Sequence, residues 1–443
     1  MTVPFLRASQ LLLLTLVSVV GLRPVGLAVG ASLFFTGLAL ATGYVTRHAV
    51  PTWKSQMGNT ALLLGSLLFI AVALELGCRV FIDDNKQWFT LCRPHPTALY
   101  DLTPDFDGTI RVKLQDGVTR PMTVRVSSQG LRDRFYGKKE AGEFRVLMLG
   151  DSFTFGWGVA AENTIPACLE AELRARHPER KITVINAGVH GYGPWQSHIR
   201  LKERGLALEA DLVIFQSYLV NDLTDSLLRT GGMFNAAESH MDWQFNFVRR
   251  LRMNHISSVR FDNWLNSHSH AIYLLNRLSG RDLLVTRLLN HVRGFPYVTI
   301  PPAPPKVDRR FHYEIHLKQW YPKLEEAWDL FTEDIVAIRD TCRANNIDFA
   351  VYNVSDPFDK ANAEKTTNES HPGIYEFDKA EIRFQEFCKQ NDIRFLSILE
   401  ATRSHPNIGP LIYQDNGHYS ELGNAFVAGL LAEQLDQGLL IYE

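Results

Sequence analysis

A chain of 443 residues, 46% of them hydrophobic, is long enough to bury a sizeable core in two or three domains. Its 46 Lys and Arg stand against 48 Asp and Glu, for a formal net charge of −2 without a basic tract; this excludes the electrostatic footprint of nucleic-acid binding and gives no sign of a polyanionic substrate. Five cysteines, Cys78, Cys92, Cys168, Cys342 and Cys388, lack metal-ligand spacing, and their odd number leaves at least one free thiol.

The N-terminal 82 residues hold three apolar stretches, Leu11 to Leu22, Val25 to Val45 and Ala61 to Ile82. The second and third approach the roughly 20 residues that cross a bilayer as helix. The first is short enough for a signal-peptide core, but after the Arg23-Pro24 break another apolar stretch follows at once, so about three retained transmembrane helices are expected over residues 1–82. Arg7 precedes the first stretch, Arg47 and Lys54 separate the second and third, and Asp83-Asp84 follow. The bias of cations toward cytoplasmic loops then places the N-terminus inside and everything beyond Ile82 outside. Glu75 lies four residues before Arg79, the favourable order for a helical pair near the outer interface.

Residues 83–144 read as a β-rich neck, with β-formers at Thr109 to Leu114 and Met122 to Val126 flanking a turn at Gln115-Asp116-Gly117. Trp88, Phe89 and Tyr100 suit either the headgroup layer or packing against the neck or the catalytic domain. From 145 onward strands and helices alternate, the pattern of a parallel sheet covered on both faces. The strands are Arg145–Leu149, Lys181–Asn186, Asp211–Gln216, Phe349–Tyr352 and Arg394–Ile398; the helices are Glu162–His177, Gln196–Leu208, Lys323–Asn346, Asp378–Asn391 and Ser420–Leu435. One interruption, residues 223–321, is mostly helical and rich in His, Arg and aromatics, and ends in Pro301-Pro302-Ala303-Pro304-Pro305. It suits a cap over the site, a partner-docking or membrane-resting surface, or plain packing. His268 with His270, and His312 with His316, have no third ligand in view, so neither a metal site nor a cofactor is expected. Asn368-Glu369-Ser370 fits a glycosylation triplet.

Chemistry centres on Gly150-Asp151-Ser152. Val146 to Leu149 form a buried strand, Gly150 permits a sharp turn, and Ser152 is left at the strand's carboxyl end, where open α/β sheets bind ligands. Two further strands end in Ala187-Gly188-Val189-His190-Gly191 and Val220-Asn221-Asp222, and Asp415-Asn416-Gly417-His418 sets a carboxylate and an imidazole three residues apart before the last helix.

This ordered set resembles the SGNH, or GDSL-like, hydrolase family. The resemblance spans most of residues 145–443 and implies a doubly wound, flavodoxin-like three-layer fold, with residues 145–222 and 322–443 forming the catalytic domain. It implies Ser152 as nucleophile, His418 as base, Asp415 as third triad member, and Ser152, Gly191 and Asn221 as oxyanion donors. Leu219 departs from the family's usual Gly-x-Asn-Asp block. Asp151 reads as a carboxylate bracing the loop. The elbow of an α/β-hydrolase, Gly-x-Ser-x-Gly, is not matched, because Thr154 holds its last position. The expected functions are hydrolysis of an acylated glycan or lipid outside the membrane, acyl transfer to an exported polysaccharide beside a membrane-bound O-acyltransferase, or a silent domain that binds glycan or a partner.

Overall fold

The computed structural model describes residues 53–81, 88–115, 118–227, 229, 257–278, 283–292, 315–354, 375–413 and 417–437. They fall into two compact units, one from Met1–Lys86 with Ser257–Val298 and one from Gln87–Ile256 with Thr299–Glu443.

The larger unit is built on five parallel strands, β5 (Glu143–Leu149), β6 (Lys181–Asn186), β7 (Leu212–Ser217), β8 (Asp348–Asn353) and β9 (Arg394–Phe395), in the order β6-β5-β7-β8-β9. It is an α/β fold with both sheet faces covered. Side chains alternate across a strand, so Val146 and Met148 pack with helices Ile165–Arg176 and Glu421–Asp436, while Leu147 and Leu149 pack with helices Leu219–Leu227, Pro322–Ala344 and Lys379–Gln390. The chain steps outward from β5 to β6 and then returns past β5 to β7. That reversal opens a crevice at the carboxyl ends of β5 and β7, the place where ligands bind in open sheets.

Ahead of the sheet lie two antiparallel hairpins, β1 (Cys92–His95) with β2 (Leu99–Leu102) and β3 (Asp107–Gln115) with β4 (Val118–Arg125). Their apolar faces share one core with Phe155, Val189 and Tyr192 from the loops after β5 and β6. Tyr100 is buried there, its hydroxyl donating to the His190 carbonyl at 2.7 Å, and so does not face a headgroup layer. Asp101, also buried, pairs with Arg200 and with Arg204 at 2.7 Å, tying the first hairpin to the segment after β6.

Element boundaries shift for local reasons. The helix expected from Glu162 starts at Ile165, where the Thr164 hydroxyl caps the Ala167 amide at 3.4 Å. The helix expected over Gln196–Leu208 begins at Pro194, a residue suited to a first turn, and after Arg200 widens into a π turn, Leu201–Gly205. Strand β9 stops at Phe395, short of the expected Ile398, because the Ser397 amide donates to Gln434 Oε1 at 2.9 Å instead of joining the ladder. All five cysteines are thiols.

The smaller unit contains α1 (Trp53–Phe81, 29 residues) and three short helices of the 223–321 insertion. The expected stretches at 11–22 and 25–45 lie outside the described residues. Among the described residues no helix is long and apolar enough to cross a membrane. In α1 the apolar run Ala61–Leu74 ends at Glu75, and at ~1.5 Å per residue it spans roughly 21 Å, short of the ~30 Å hydrocarbon core.

Candidate active site

The turn after β5 is fixed from below. Gly150 has φ of 153°, and a Cβ there would stand 2.5 Å from both Gln216 Oε1 and Thr154 Oγ1. Only glycine fits this approach. Asp151 then caps a one-turn helix, Ser152–Phe155, its Oδ1 accepting from the Phe153 amide at 2.9 Å. Gln216, on neighbouring strand β7, presents Oε1 to three donors of the same turn: Asp151 N at 3.1 Å, Thr154 N at 3.2 Å and Thr154 Oγ1 at 3.0 Å. At the far end of the turn Arg132, 1% exposed, donates to the carbonyls of Phe155 (2.7 Å), Gly156 (2.5 Å) and Val159 (2.6 Å), and its guanidinium lies 4.7 Å from the Phe155 ring centre. Burial lowers its pKa to about 10, which leaves it charged at neutral pH.

The glycine loop after β6 leans directly on this turn. Val189 N donates to Gly150 O at 3.0 Å, and a Cβ on Gly188 would run into the backbone nitrogen of Phe155. Gly191 has φ of 74°, at home in glycine, in the tight bend closed by Tyr192 N to Val189 O at 3.0 Å. The adjacent His190 is buried, and burial first, then the His418 charge, pushes its pKa down to about 3, so it is neutral at working pH. Asn221 comes from the first turn of helix Leu219–Leu227 and donates through Nδ2 to Asp151 Oδ2 at 3.3 Å. Leu219, at the family's glycine position, is the buried first residue of that helix; its amide donates to Asn353 Oδ1 at 3.2 Å.

His418 arrives from the opposite end of the chain. A bridge between Ile412 and Tyr419, with Tyr413 N to His418 O at 2.8 Å, holds it just before helix Glu421–Asp436, whose N-cap is Ser420. Its Nε2 lies 2.8 Å from Ser152 Oγ, and its ring stacks at 4.8 Å on Phe153. Trp157 lies between the two imidazoles, 4.4 Å from His190 and 6.3 Å from His418. A serine hydroxyl donating to Nε2 requires the ring proton on Nδ1. Such a pair can deprotonate the alcohol as it attacks an acyl carbon and return the proton to the leaving group.

The structure thus brings Ser152 and His418 into contact, and sets Asn221 and the glycine loop against the same turn. Asp415 lies outside the described residues. Gln216, Arg132, Phe153 and Trp157 were not anticipated from sequence. Gln216 ends an apolar strand, a pattern compatible with a loop-pinning role, but the strand register is needed to see its partners.

Asp151 is buried, and desolvation lifts its carboxyl to about 6; Asp222 and Asp225, also buried, rise further. Between about pH 4 and 6 the folded chain therefore holds a proton at Asp151 that the unfolded chain has released. Stability therefore falls as pH rises through that window. Urea unfolding of wild type and Asp151→Asn across pH 4 to 7.5 measures it: the variant should give the flatter curve, and equal slopes would refute the assignment.

No family model matches the chain, and no curated protein matches it in sequence. Solved structures are similar to it over about two thirds of its length. A lipase/acylhydrolase from Enterococcus faecalis is 12% identical, with a TM-score of 0.31, covering 66% of this chain and 96% of its own. The psychrotrophic esterase EstA from Pseudoalteromonas is 11% identical (TM-score 0.33; 67% and 98%), and an acetyl-xylooligosaccharide esterase from Geobacillus is 13% identical (0.33; 66% and 94%).

Proposed function

We propose that the chain is a serine-dependent ester hydrolase that acts through an acyl-Ser152 intermediate on an acylated glycan or lipid, outside a cytoplasmic membrane to which its N-terminal region anchors it. The observation that carries the chemistry is the 2.8 Å contact between His418 Nε2 and Ser152 Oγ at the carboxyl edge of the sheet. Ser152 attacks the acyl carbon while His418 takes its proton; the alcohol leaves with that proton, and water, deprotonated by the same imidazole, releases the acid. Asp415 would orient Nδ1, and the Ser152 and Gly191 amides with the Asn221 side chain would hold the oxyanion, Asp151 fixing the amide's direction. Acylated glycan or lipid follows from the resemblance in sequence. Membrane placement is supported by the apolar stretches at 11–22 and 25–45 of the sequence and by α1, whose Leu68, Phe69 and Val80 are 66%, 68% and 74% exposed.

The test is phosphonate trapping on cells expressing the full chain. A permeant fluorophosphonate should modify Ser152, as read by peptide mass, and a membrane-impermeant one should do the same on intact cells. Absence of any adduct at Ser152 sinks the chemistry; modification by the permeant reagent alone sinks the placement.

A further inference from the structure

The three insertion helices α5 (Ser257–His268), α6 (His270–Leu278) and α7 (Leu284–Leu289) bury a polar network beside the apolar Val259, Ala271 and Leu283; α2, α3 and α4 denote helices Ile165–Arg176, Pro194–Arg200 and Leu219–Leu227 of the larger unit. Between them Asp262, Asn266, Asn276 and Thr286 are almost wholly buried and joined by hydrogen bonds. Asn276 Nδ2 donates to Asn266 Oδ1 at 2.7 Å, Asn266 Nδ2 to Asp262 Oδ1 at 3.0 Å, and Thr286 N to Asp262 Oδ2 at 3.0 Å. The Leu284 amide donates to Asn276 Oδ1 at 3.0 Å. Outward stand Phe261, Trp264, Leu275, Leu288 and Val292, each 44% to 58% exposed.

Water favours the reverse arrangement, since burying one such apolar side chain is worth roughly 1.5 to 3 kcal/mol. A polar group taken from water into a hydrogen bond gains only about 1 kcal/mol net. In hydrocarbon both preferences change sign: polar groups must satisfy one another inside, and apolar side chains lose nothing by facing out. On α5 the two solutions lie back to back, with Phe261 and Trp264 stacked at 6.0 Å on one face and Asp262 and Asn266 on the other.

Two further observations name the surroundings. The bundle is fastened to α1: Glu75 accepts from Ser269 Oγ (2.7 Å), His270 N (3.0 Å) and Ala271 N (3.0 Å) at the start of α6, and from Arg79 Nε at 2.9 Å. The helix it is fastened to is also apolar on the outside, with Leu68, Phe69 and Val80 exposed. Charge is the second. Residues 257–292 carry Arg260, Arg277, Arg281 and Arg287 against Asp262 and Asp282, a formal excess of 4 − 2 = +2, and Asp262 is buried. Of these, Arg260 precedes the outward Phe261 and Arg287 the outward Leu288, and basic residues next to outward apolar side chains suit the headgroup boundary of an anionic bilayer.

We propose that α5–α7 form a lipid-facing platform seated in the interface of an anionic bilayer, with Phe261, Trp264 and Leu288 against the acyl chains. The inference rests on the membrane placement proposed above. Its test introduces a photo-crosslinking amino acid singly at 264, 288, 68 or 422 in the full chain, reconstituted in vesicles of phosphatidylcholine and phosphatidylglycerol, with adducts read by mass. Phospholipid adducts are expected at 68, 264 and 288 and not at 422, with fewer at 264 and 288 in phosphatidylcholine alone. Lipid adducts at 68 with only protein adducts at 264 and 288 would overturn the platform and leave the placement standing. No lipid adduct at any of the three positions would overturn both, and adduct yields at 264 and 288 independent of phosphatidylglycerol would overturn the anionic preference.

Discussion

Ester turnover by the Ser152→Ala variant is expected to fall by roughly 10⁶-fold, with His418→Ala on the same scale and the double variant no worse than either single one. The reason is geometric. Ser152 is a weak nucleophile until Nε2, at 2.8 Å, accepts its proton, so losing either partner removes the same step. Stability should change by less than about 1 kcal/mol for Ser152→Ala, because the backbone of its one-turn helix is held by Asp151, Gln216 and Arg132 and not by the serine hydroxyl. Hydrolysis of an activated acetyl ester, measured beside urea unfolding of the same preparations, decides the matter. A variant that keeps wild-type turnover, or two single losses that multiply in the double variant, would remove the pair from the chemistry.

Arg132→Met is the substitution expected to damage the fold most. It leaves the buried carbonyls of Phe155 and Val159 without their donor, while that of Gly156 keeps only the long bond from the Val159 amide at 3.4 Å. At about 1 to 3 kcal/mol for each of the two orphaned groups, the loss is on the order of 2 to 6 kcal/mol, a large share of the whole stability of a domain. Arg132→Lys keeps the charge but replaces a planar fork with one point donor and should fall between. Thermal unfolding ranks the three proteins, and the rate of phosphonate capture by Ser152 reports whether the turn has moved. If the methionine variant unfolds like wild type, Arg132 is not what holds the turn.

Much of this arrangement is legible in the sequence because continuous apolar runs ending in polar or glycine-rich loops specify buried parallel strands, and Ser152, Asn221 and His418 all follow such punctuation. What escaped it depends on neighbours remote in the chain. Gln216 acts on Gly150 through the pairing of β7 with β5, which no local pattern encodes. Arg132 sits in Leu131-Arg132-Asp133-Arg134, where nothing separates the buried guanidinium from that of Arg134, half exposed to solvent. Strand β9 was overestimated because Ile398 and Leu396 are apolar for packing beneath helix Glu421–Asp436, while a side-chain amide, Gln434, takes the backbone bonds. Helix α5 turns polar Ser258, Asp262 and Asn266 inward beside Val259, so periodicity reports its helicity but not which face is covered.

The contact between Ser152 and His418 joins residues 266 positions apart in sequence. At a translation rate of ~5 to 20 residues per second the base emerges roughly 13 to 53 seconds after the nucleophile. Strands β5, β6 and β7 can pair soon after they are made, but β8, β9 and the histidine bridge belong to the last third of the chain. Throughout synthesis the ribosome therefore carries a serine without its base, and the nascent chain cannot begin acyl chemistry on whatever ester it passes. On the proposed chemistry, activity would wait for His418 to be made and seated by its bridge beside Ser152.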